Sequence, residues 1–175
     1  FVADSADNSV TQLSKQRMVV STLVSTGLNG PSGVAVTRDR LRLVVVDTNN
    51  NRVVTVVLST GVVSVLAGGS MGYGDGKGTI ARFSAPSGVS LSPDGVYAYV
   101  TDTSNLVIRR VDVNSGDVTT VAGTKGVIGC ADGGIGVGSF ARPEGISVHP
   151  DGLSLIVADW SNNALRRVTL STGNV

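Results

Sequence analysis

Three aspartates, Asp47, Asp102 and Asp159, each end an apolar run and stand three residues before an asparagine: Asn50, Asn105 or Asn162. Carboxylates recurring at matched positions could form a ring that binds a cation. Aspartate also stabilises tight turns by accepting backbone N–H groups, and that role, within the turn each aspartate opens, is the one expected. Asp75-Gly-Lys77-Gly and Asp132-Gly-Gly resemble a calcium loop only superficially, because hard cations take about six or more oxygens and no EF-hand spacing follows. Nor do these glycine runs suit phosphate: they lack the Gly-Lys-Ser/Thr ending and link strands instead of opening a helix.

Arg109-Arg110 and Arg166-Arg167 could bind anions or RNA. Neighbouring positions in a strand point to opposite faces, so each pair splits and forms no patch. Packing between repeated units and pairing with the turn carboxylates is the expected use. Cys130 is the single cysteine, so no internal disulfide forms. With Lys125 as its one basic neighbour, little activates its thiolate; it reads as a loop residue that could at most crosslink chains. His149, the one histidine, precedes Pro150 in a turn and is expected to have no catalytic role.

The elements that position these residues are strands. Aromatics are 4% of the chain, so the core is aliphatic, and 23 glycines call for many turns. Runs such as VVSVLA, YAYVTD and SLIVAD alternate with period two and are rich in β-branched residues. The chain reads as all-β. Formal net charge is +1, without the electrostatic footprint of a nucleic-acid or anionic-membrane binder. No apolar run reaches the roughly 18 residues needed to cross a membrane as a helix. The chain starts at Phe1, as a mature product or an excised piece would, so its compartment cannot be read there.

One unit is spelled repeatedly. Pro31-Ser-Gly-Val, Pro86-Ser-Gly-Val and Pro143-Glu-Gly-Ile each precede their aspartate by 16 residues, and each aspartate precedes a turn glycine (Gly61, Gly116, Gly173) by 14. Each unit resolves into strands a to d. Strand a follows Pro-x-Gly; a Ser92-Pro-Asp-Gly or His149-Pro-Asp-Gly turn leads to strand b, which ends at the aspartate. In the first copy that turn reads Thr37-Arg-Asp-Arg and is expected to be looser or strained. Strand c carries Val53, Ile108 or Leu165, and strand d is VVSVLAG or DVTTVAG. At the N-terminus, Phe1–Asp4, Val10–Leu13 and Met18–Val24 fit strands b, c and d. The segments are therefore 1–30 (a partial unit), 31–85 and 86–142 (each a unit plus a glycine-rich loop), and 143–175, which stops as strand d begins. Sheets of this kind bury themselves by stacking face to face around an axis, as a β-propeller of typically four to eight blades. Roughly three and a half blades do not close such a ring. The remainder is expected in a longer chain, or several chains complete the ring.

Pro-x-Gly-Val, Val-x-Asp-x-x-Asn, Ile-Arg-Arg-Val and Val-Ala-Gly together resemble the NHL-repeat family of β-propellers. The glycine-rich connectors, Gly72-Tyr-Gly-Asp75-Gly and Gly129-Cys-Ala-Asp132-Gly, are each followed by a phenylalanine (Phe83, Phe140) and then a proline, and are similar to linkers in secreted or multidomain NHL-like proteins. The resemblance implies an incomplete ring of four-stranded antiparallel blades. It does not choose an activity, since the family spans protein-interaction and RNA-binding propellers, extracellular sensor and adhesion modules and a peptide-amidating lyase. The first copy departs from it, with Val54-Thr55 in place of the arginine pair, and the partial copy has Thr11-Gln12.

Antiparallel connectivity puts the d-to-a connectors and b-to-c turns on one face and the short a-to-b and c-to-d turns on the other. Binding usually resides on loops held by a rigid scaffold, so the expected partner face carries Tyr73, Asp75, Lys77, Cys130, Asp132, Trp160, Asn50, Asn105 and Asn162. Lyases and lactonases on propellers use metal held by several histidines or carboxylates, which one histidine does not supply. Three lysines and one tryptophan likewise offer little for RNA stacking and backbone contacts. The expected function is a non-enzymatic extracellular or cell-surface module without cofactor or metal. Its partner is another protein, or its own kind through open blade edges, with no nucleic acid and no membrane insertion. The alternatives are a propeller enzyme with its site in further blades, or an intracellular RNA- or protein-binding propeller.

Overall fold

The computed structural model describes residues 1–14 and 19–175; Met18, read as the start of a strand, lies outside them. Strands β1 (Val2–Asp4), β2 (Ser9–Ser14) and β3 (Val19–Val24) form a partial blade. Blade one is β4 (Pro31–Val36), β5 (Arg42–Asp47), β6 (Arg52–Val57) and β7 (Val63–Gly68). The strand β8 (Gly76–Lys77) lies in the following connector. Blade two is β9 (Pro86–Leu91), β10 (Tyr97–Asp102), β11 (Val107–Asp112) and β12 (Asp117–Gly123). Blade three is β13 (Pro143–Val148), β14 (Ser154–Asp159) and β15 (Ala164–Thr169). Every strand pairing is antiparallel, as in a stack of meanders.

The blades stack by burying both faces of their middle strands. Alternate residues of β5 serve different interfaces: Leu43 and Val45 pack with Val10 and Val24 of the partial blade, while Val44 and Val46 pack with Ala98 and Val100 of blade two. A third cluster joins Tyr99, Ile108 and Ala122 of blade two to Leu155, Val157 and Val168 of blade three. Each fully buried valine or leucine contributes about 1.5–3 kcal/mol relative to exposure. The aromatic contribution comes from outside the blades: Phe83 and Phe140, both fully buried, enter from the connectors and plug the interfaces.

The innermost strands approach closely because of the glycine in Pro-x-Gly. Ser32 Oγ donates to Ser87 O at 2.8 Å, and Ser87 Oγ donates to Glu144 O at 3.1 Å. A Cβ at Gly33 would lie 2.5 Å from Ser87 O, and one at Gly88 would collide with Glu144 O. A second close approach occurs at the periphery. The c–d ladder skips one residue of strand d, Leu23, Leu66 or Val121, at the same place in each copy. The bulge leaves that residue's carbonyl outside the ladder, and the next unit's turn glycine packs against it. A Cβ would meet Leu23 O at 2.9 Å from Gly61, Leu66 O at 2.5 Å from Gly116 and Val121 O at 2.5 Å from Gly173. The 14-residue spacing of aspartate and glycine thus serves blade stacking as well as the turn.

One feature was not expected, and another decides between two expectations. The first is that the connector after blade one is not wholly loop: β8 pairs with β12 (Asp117↔Lys77, Val118↔Gly76), giving the sheet of blade two a fifth, outer strand. Val175 N–H repeats this by donating to Gly133 O at 2.9 Å. The second is the first copy's a–b turn, which is not loose. Arg40 N–H closes it on Thr37 O at 2.8 Å, as Gly95 and Gly152 do in theirs, with Arg40 at φ +58° where the copies have glycine.

Left-handed backbone costs a non-glycine residue roughly 1–2 kcal/mol, so Arg40→Gly is expected to raise stability by about 1 kcal/mol in equilibrium urea denaturation. Gly116 and Gly126 share a positive φ, but only Gly116 abuts a carbonyl. Gly126→Ala is expected to cost about 1 kcal/mol for its backbone alone. Gly116→Ala should cost at least about 3 kcal/mol, in the range reserved for steric and strain defects; equal losses would remove the close-approach argument.

Candidate functional site: the long-loop face

The connectors and b–c turns share a face and are tied together. Asn29 O, Ser84 O and Arg142 O accept from Asn49, Ser104 and Trp160 N–H, respectively, at 2.9–3.1 Å. Beneath each tie lies one of the three aspartates, all fully buried. Asp102 Oδ1 accepts from Ser84 N–H at 2.8 Å, and its Oδ2 accepts from Asn105 Nδ2 at 2.8 Å and Arg109 Nη1 at 2.7 Å. Asp47 accepts from Asn29 N–H, Asn50 Nδ2 and Arg52 Nε at 2.6, 2.9 and 2.7 Å. Asp159 accepts from Arg142 N–H and Asn162 Nδ2 at 2.7 and 2.6 Å. The expected backbone donors within the b–c turn are therefore corrected. The turn closes on its own carbonyl, as in Asn51 N–H to Thr48 O, and the aspartate instead holds the connector arriving beside it. Burial pushes the Asp102 carboxyl above the usual carboxylate range, against the pull of Ser84 N–H, Asn105 and Arg109.

The glycine-rich loops are moulded around arginines. Arg109 Nη1 also reaches Arg82 O, and its Nη2 reaches Gly74 O at 2.6 Å and Asp75 Oδ1 at 2.9 Å. Arg166 repeats the arrangement with Ser139 O, Ala131 O and Asp132 Oδ1. Asp75 and Asp132 are thus guanidinium partners. Asn105 and Asn162 pin the same loops through Gly72 O and Gly129 O, both at 2.7 Å. In the first copy, where Val54 replaces this arginine, Arg52 supplies the cation from two residues earlier on the same strand face and donates to Gly27 O of a much shorter connector. As expected, the arginine pairs split: Arg109 is buried, whereas Arg110 stacks on Tyr97 at 4.7 Å.

Of the nine expected partner-face residues, Asn50, Asn105, Asn162, Asp75 and Asp132 are thus engaged in internal bonds. Tyr73 covers Arg109, its ring centroid 5.2 Å from the guanidinium. Cys130, the residue at the equivalent position of the next loop, is an exposed free thiol. Lys77 is exposed on β8. Trp160 is 62% exposed. His149 lies on the opposite face, 2.9 Å from Asp151. Among the described residues, no group of three or more His, Cys, Asp or Glu side chains is placed to hold a metal.

The structure adds neighbours to Trp160 that had not been singled out. Arg142 stacks on its ring at 4.6 Å and pairs through Nε with Glu144 Oε1 at 2.8 Å. Glu144, the chain's only glutamate, is the x of Pro-x-Gly; Ser32 and Ser87 are its counterparts. Arg142 and Trp160 correspond to Ala85 and Thr103 of blade two. Arg142 and Glu144 border a hollow of about 400 Å³ at the inner end of the blades, which Thr48, Ser87, Thr103 and Ser104 also line. A second hollow of about 340 Å³ lies between Trp160, Glu144 and the exposed Leu165. The signal was available in the sequence as three departures of blade three from its copies, all within 20 residues (142 to 160).

Stacked four-stranded meanders around a shared inner edge define a β-propeller segment. Residues 28–55 match the NHL repeat family model. NHL repeat-containing protein 2 of Bos taurus is 31% identical over 159 residues, covering 85% of this chain and 22% of that protein. Among solved structures, an auxiliary nutrient binding protein from Bacteroides thetaiotaomicron superposes with a TM-score of 0.77 at 21% identity, covering 92% of this chain and 42% of the other. Virginiamycin B lyase from Staphylococcus aureus superposes with a TM-score of 0.68 at 18% identity, over 98% and 48%. Residues 28–55 are an NHL repeat, and the chain is an NHL-type propeller segment. It spans about a fifth of the length of the Bos taurus relative.

Removing one partner of a buried ion pair costs about 3–5 kcal/mol because the other charge is left uncompensated. Asp102→Ala, which leaves the fully buried Arg109 only the half-exposed Asp75 as counter-charge, should fall at the lower end of that range by chemical denaturation. Asp47→Ala should cost clearly less, because Arg52 keeps access to water. Equal losses would show that the guanidinium is not what each aspartate holds.

Proposed function

We propose that this chain is part of a non-enzymatic recognition module of an extracellular or cell-surface protein, and that its long-loop face takes a protein partner around Trp160, Arg142 and Glu144. One observation carries the reading: at the inner mouth, blade three replaces Thr, Ala and Ser with Trp, Arg and Glu, while most of the other charges of this face are engaged in holding loops. Tryptophan and arginine are the side chains enriched where interfaces concentrate their energy. The extracellular assignment rests on composition, with three lysines in 175 residues and strands rich in Thr, Ser and Gly.

A photo-crosslinking amino acid in place of Trp160 of the full-length protein, expressed in its native cells, should yield a discrete protein adduct, and the same probe in place of Asp94 on the opposite face should not. A membrane-impermeant label should reach the protein on intact cells. With the adduct identified, Trp160→Ala combined with Arg142→Ala should weaken its affinity at least about tenfold, as interface anchors do. An adduct from Asp94 alone, or unchanged affinity in the double variant, would overturn the assignment of the face.

A further inference from the structure

The short-turn face carries a recurring notch between neighbouring blades, and the first notch differs chemically from the second. Between blades two and three it is lined by Pro93, Asp94, Tyr97 and Asp151, an aromatic and acidic surface. Between blades one and two, a hollow of about 440 Å³ is lined by Arg38, Arg42, Asn114, Asp39 and Gly95. Arg38 and Arg42 stand where the second notch has Pro93 and Tyr97.

The arginines of the long-loop face are engaged by loop carbonyls and carboxylates. Arg109 donates four hydrogen bonds within the protein, whereas Arg38 makes one long contact, 3.5 Å to Asp94 O. Arg42 has only a 3.9 Å approach to Asp39. The Asn114 side-chain amide has no hydrogen-bond partner among the described residues. Asp39 offsets the charge of only one of the two guanidinium groups, and one of its oxygens is held by Thr37 Oγ1 at 2.6 Å and Leu41 N–H at 2.9 Å. Two guanidinium groups therefore face a hollow lined by one carboxylate, with a second, Asp94, near Arg38, and most of their donors are open.

The turn that presents them breaks local rules to do so. Its copies use Pro-Asp-Gly; this one uses Arg38-Asp39-Arg40, with Arg40 held at φ +58°. Backbone strain of this kind gathers at ligand-binding positions. Since blades one and two both have all four strands, the walls of this notch do not depend on any further blade.

We propose that the notch between blades one and two binds a small polyanion through paired oxyanions, carboxylate or phosphate, each able to accept a guanidinium fork. The site is separate from the long-loop face and does not require the reading given for it.

Isothermal titration of the full-length protein with citrate and with inorganic phosphate, against potassium chloride at matched ionic strength, tests this. Saturable binding to one or both is expected, and the stronger of the two identifies the oxyanion. Arg38→Ala with Arg42→Ala should weaken it at least tenfold, and Arg167→Ala, an exposed arginine of blade three, should leave it unchanged. If the double variant does not fold, Arg38→Gln alone should weaken binding at least threefold, because that side chain is exposed and has little structural work. No saturable heat from either probe, binding that survives these substitutions, or an equal loss in Arg167→Ala would overturn the proposal.

Discussion

The face-to-face burial of one blade against the next governs this chain. A middle strand such as β5 is covered on both sides, by the partial blade through Leu43 and Val45 and by blade two through Val44 and Val46. No single sheet could be stable with both faces so apolar in water, so the structural unit is the stack. This constraint selects the side chains. Flat sheets in close contact favour short β-branched residues, which is why valine fills the strands and aromatics amount to 4% of the chain. Phe83 and Phe140 are admitted because they come from the connectors and fill the space left where blades splay outward.

A second interaction sets how the chain passes from blade to blade. Each buried aspartate binds the arriving connector and the asparagine of its own turn, with an arginine as counter-charge where the connector is long. A buried ion pair offsets its desolvation only when hydrogen bonds satisfy the remaining donors. Arg109 meets that condition at both Nη atoms, with carbonyls of the very loop it organises, and leaves Nε without a partner. The glycine-rich segments can therefore be long without a core of their own. The shorter connector into blade one offers fewer carbonyls, and there the partially exposed Arg52 suffices. Chemistry on this face is correspondingly sparse, because most of its charges are engaged in holding loops.

The repeat made the strands legible. Pro-x-Gly, the aspartate and the turn glycine fall at fixed separations, and fixed separations in β-structure mean fixed registers. Their reasons were less visible. The turn glycine was read as a turn residue, yet it also packs on a carbonyl that a bulge leaves outside the ladder of the preceding blade, a contact between residues such as Gly116 and Leu66. The aspartate was correctly read as a backbone acceptor, but its donor lies 18 residues upstream, as with Ser84 and Asp102, and not in the adjacent turn. Local chemistry can name a bond type without locating a partner from another strand. The same limit hid β8, since Gly76-Lys77 has no strand propensity and pairs only because β12 offers an open edge.

Departures among the copies carry information of a different kind. Where three units share one backbone, each shows what its position structurally requires, and a substitution can be weighed against that requirement. Tyr73 to Cys130 is a neutral exchange: the loop keeps its course around the arginine without the covering ring. Gly95 to Arg40 is not neutral, because the backbone retains a conformation suited to glycine while bearing a long cationic side chain. Ser87 to Glu144 and Thr103 to Trp160 place a charge and a large ring where smaller residues already satisfied the fold. Stacking explains every position the blades have in common. Among the described residues, it explains neither the arginines of the first a–b turn nor the Trp–Arg–Glu group of blade three, and the two binding sites proposed for this chain rest on those departures.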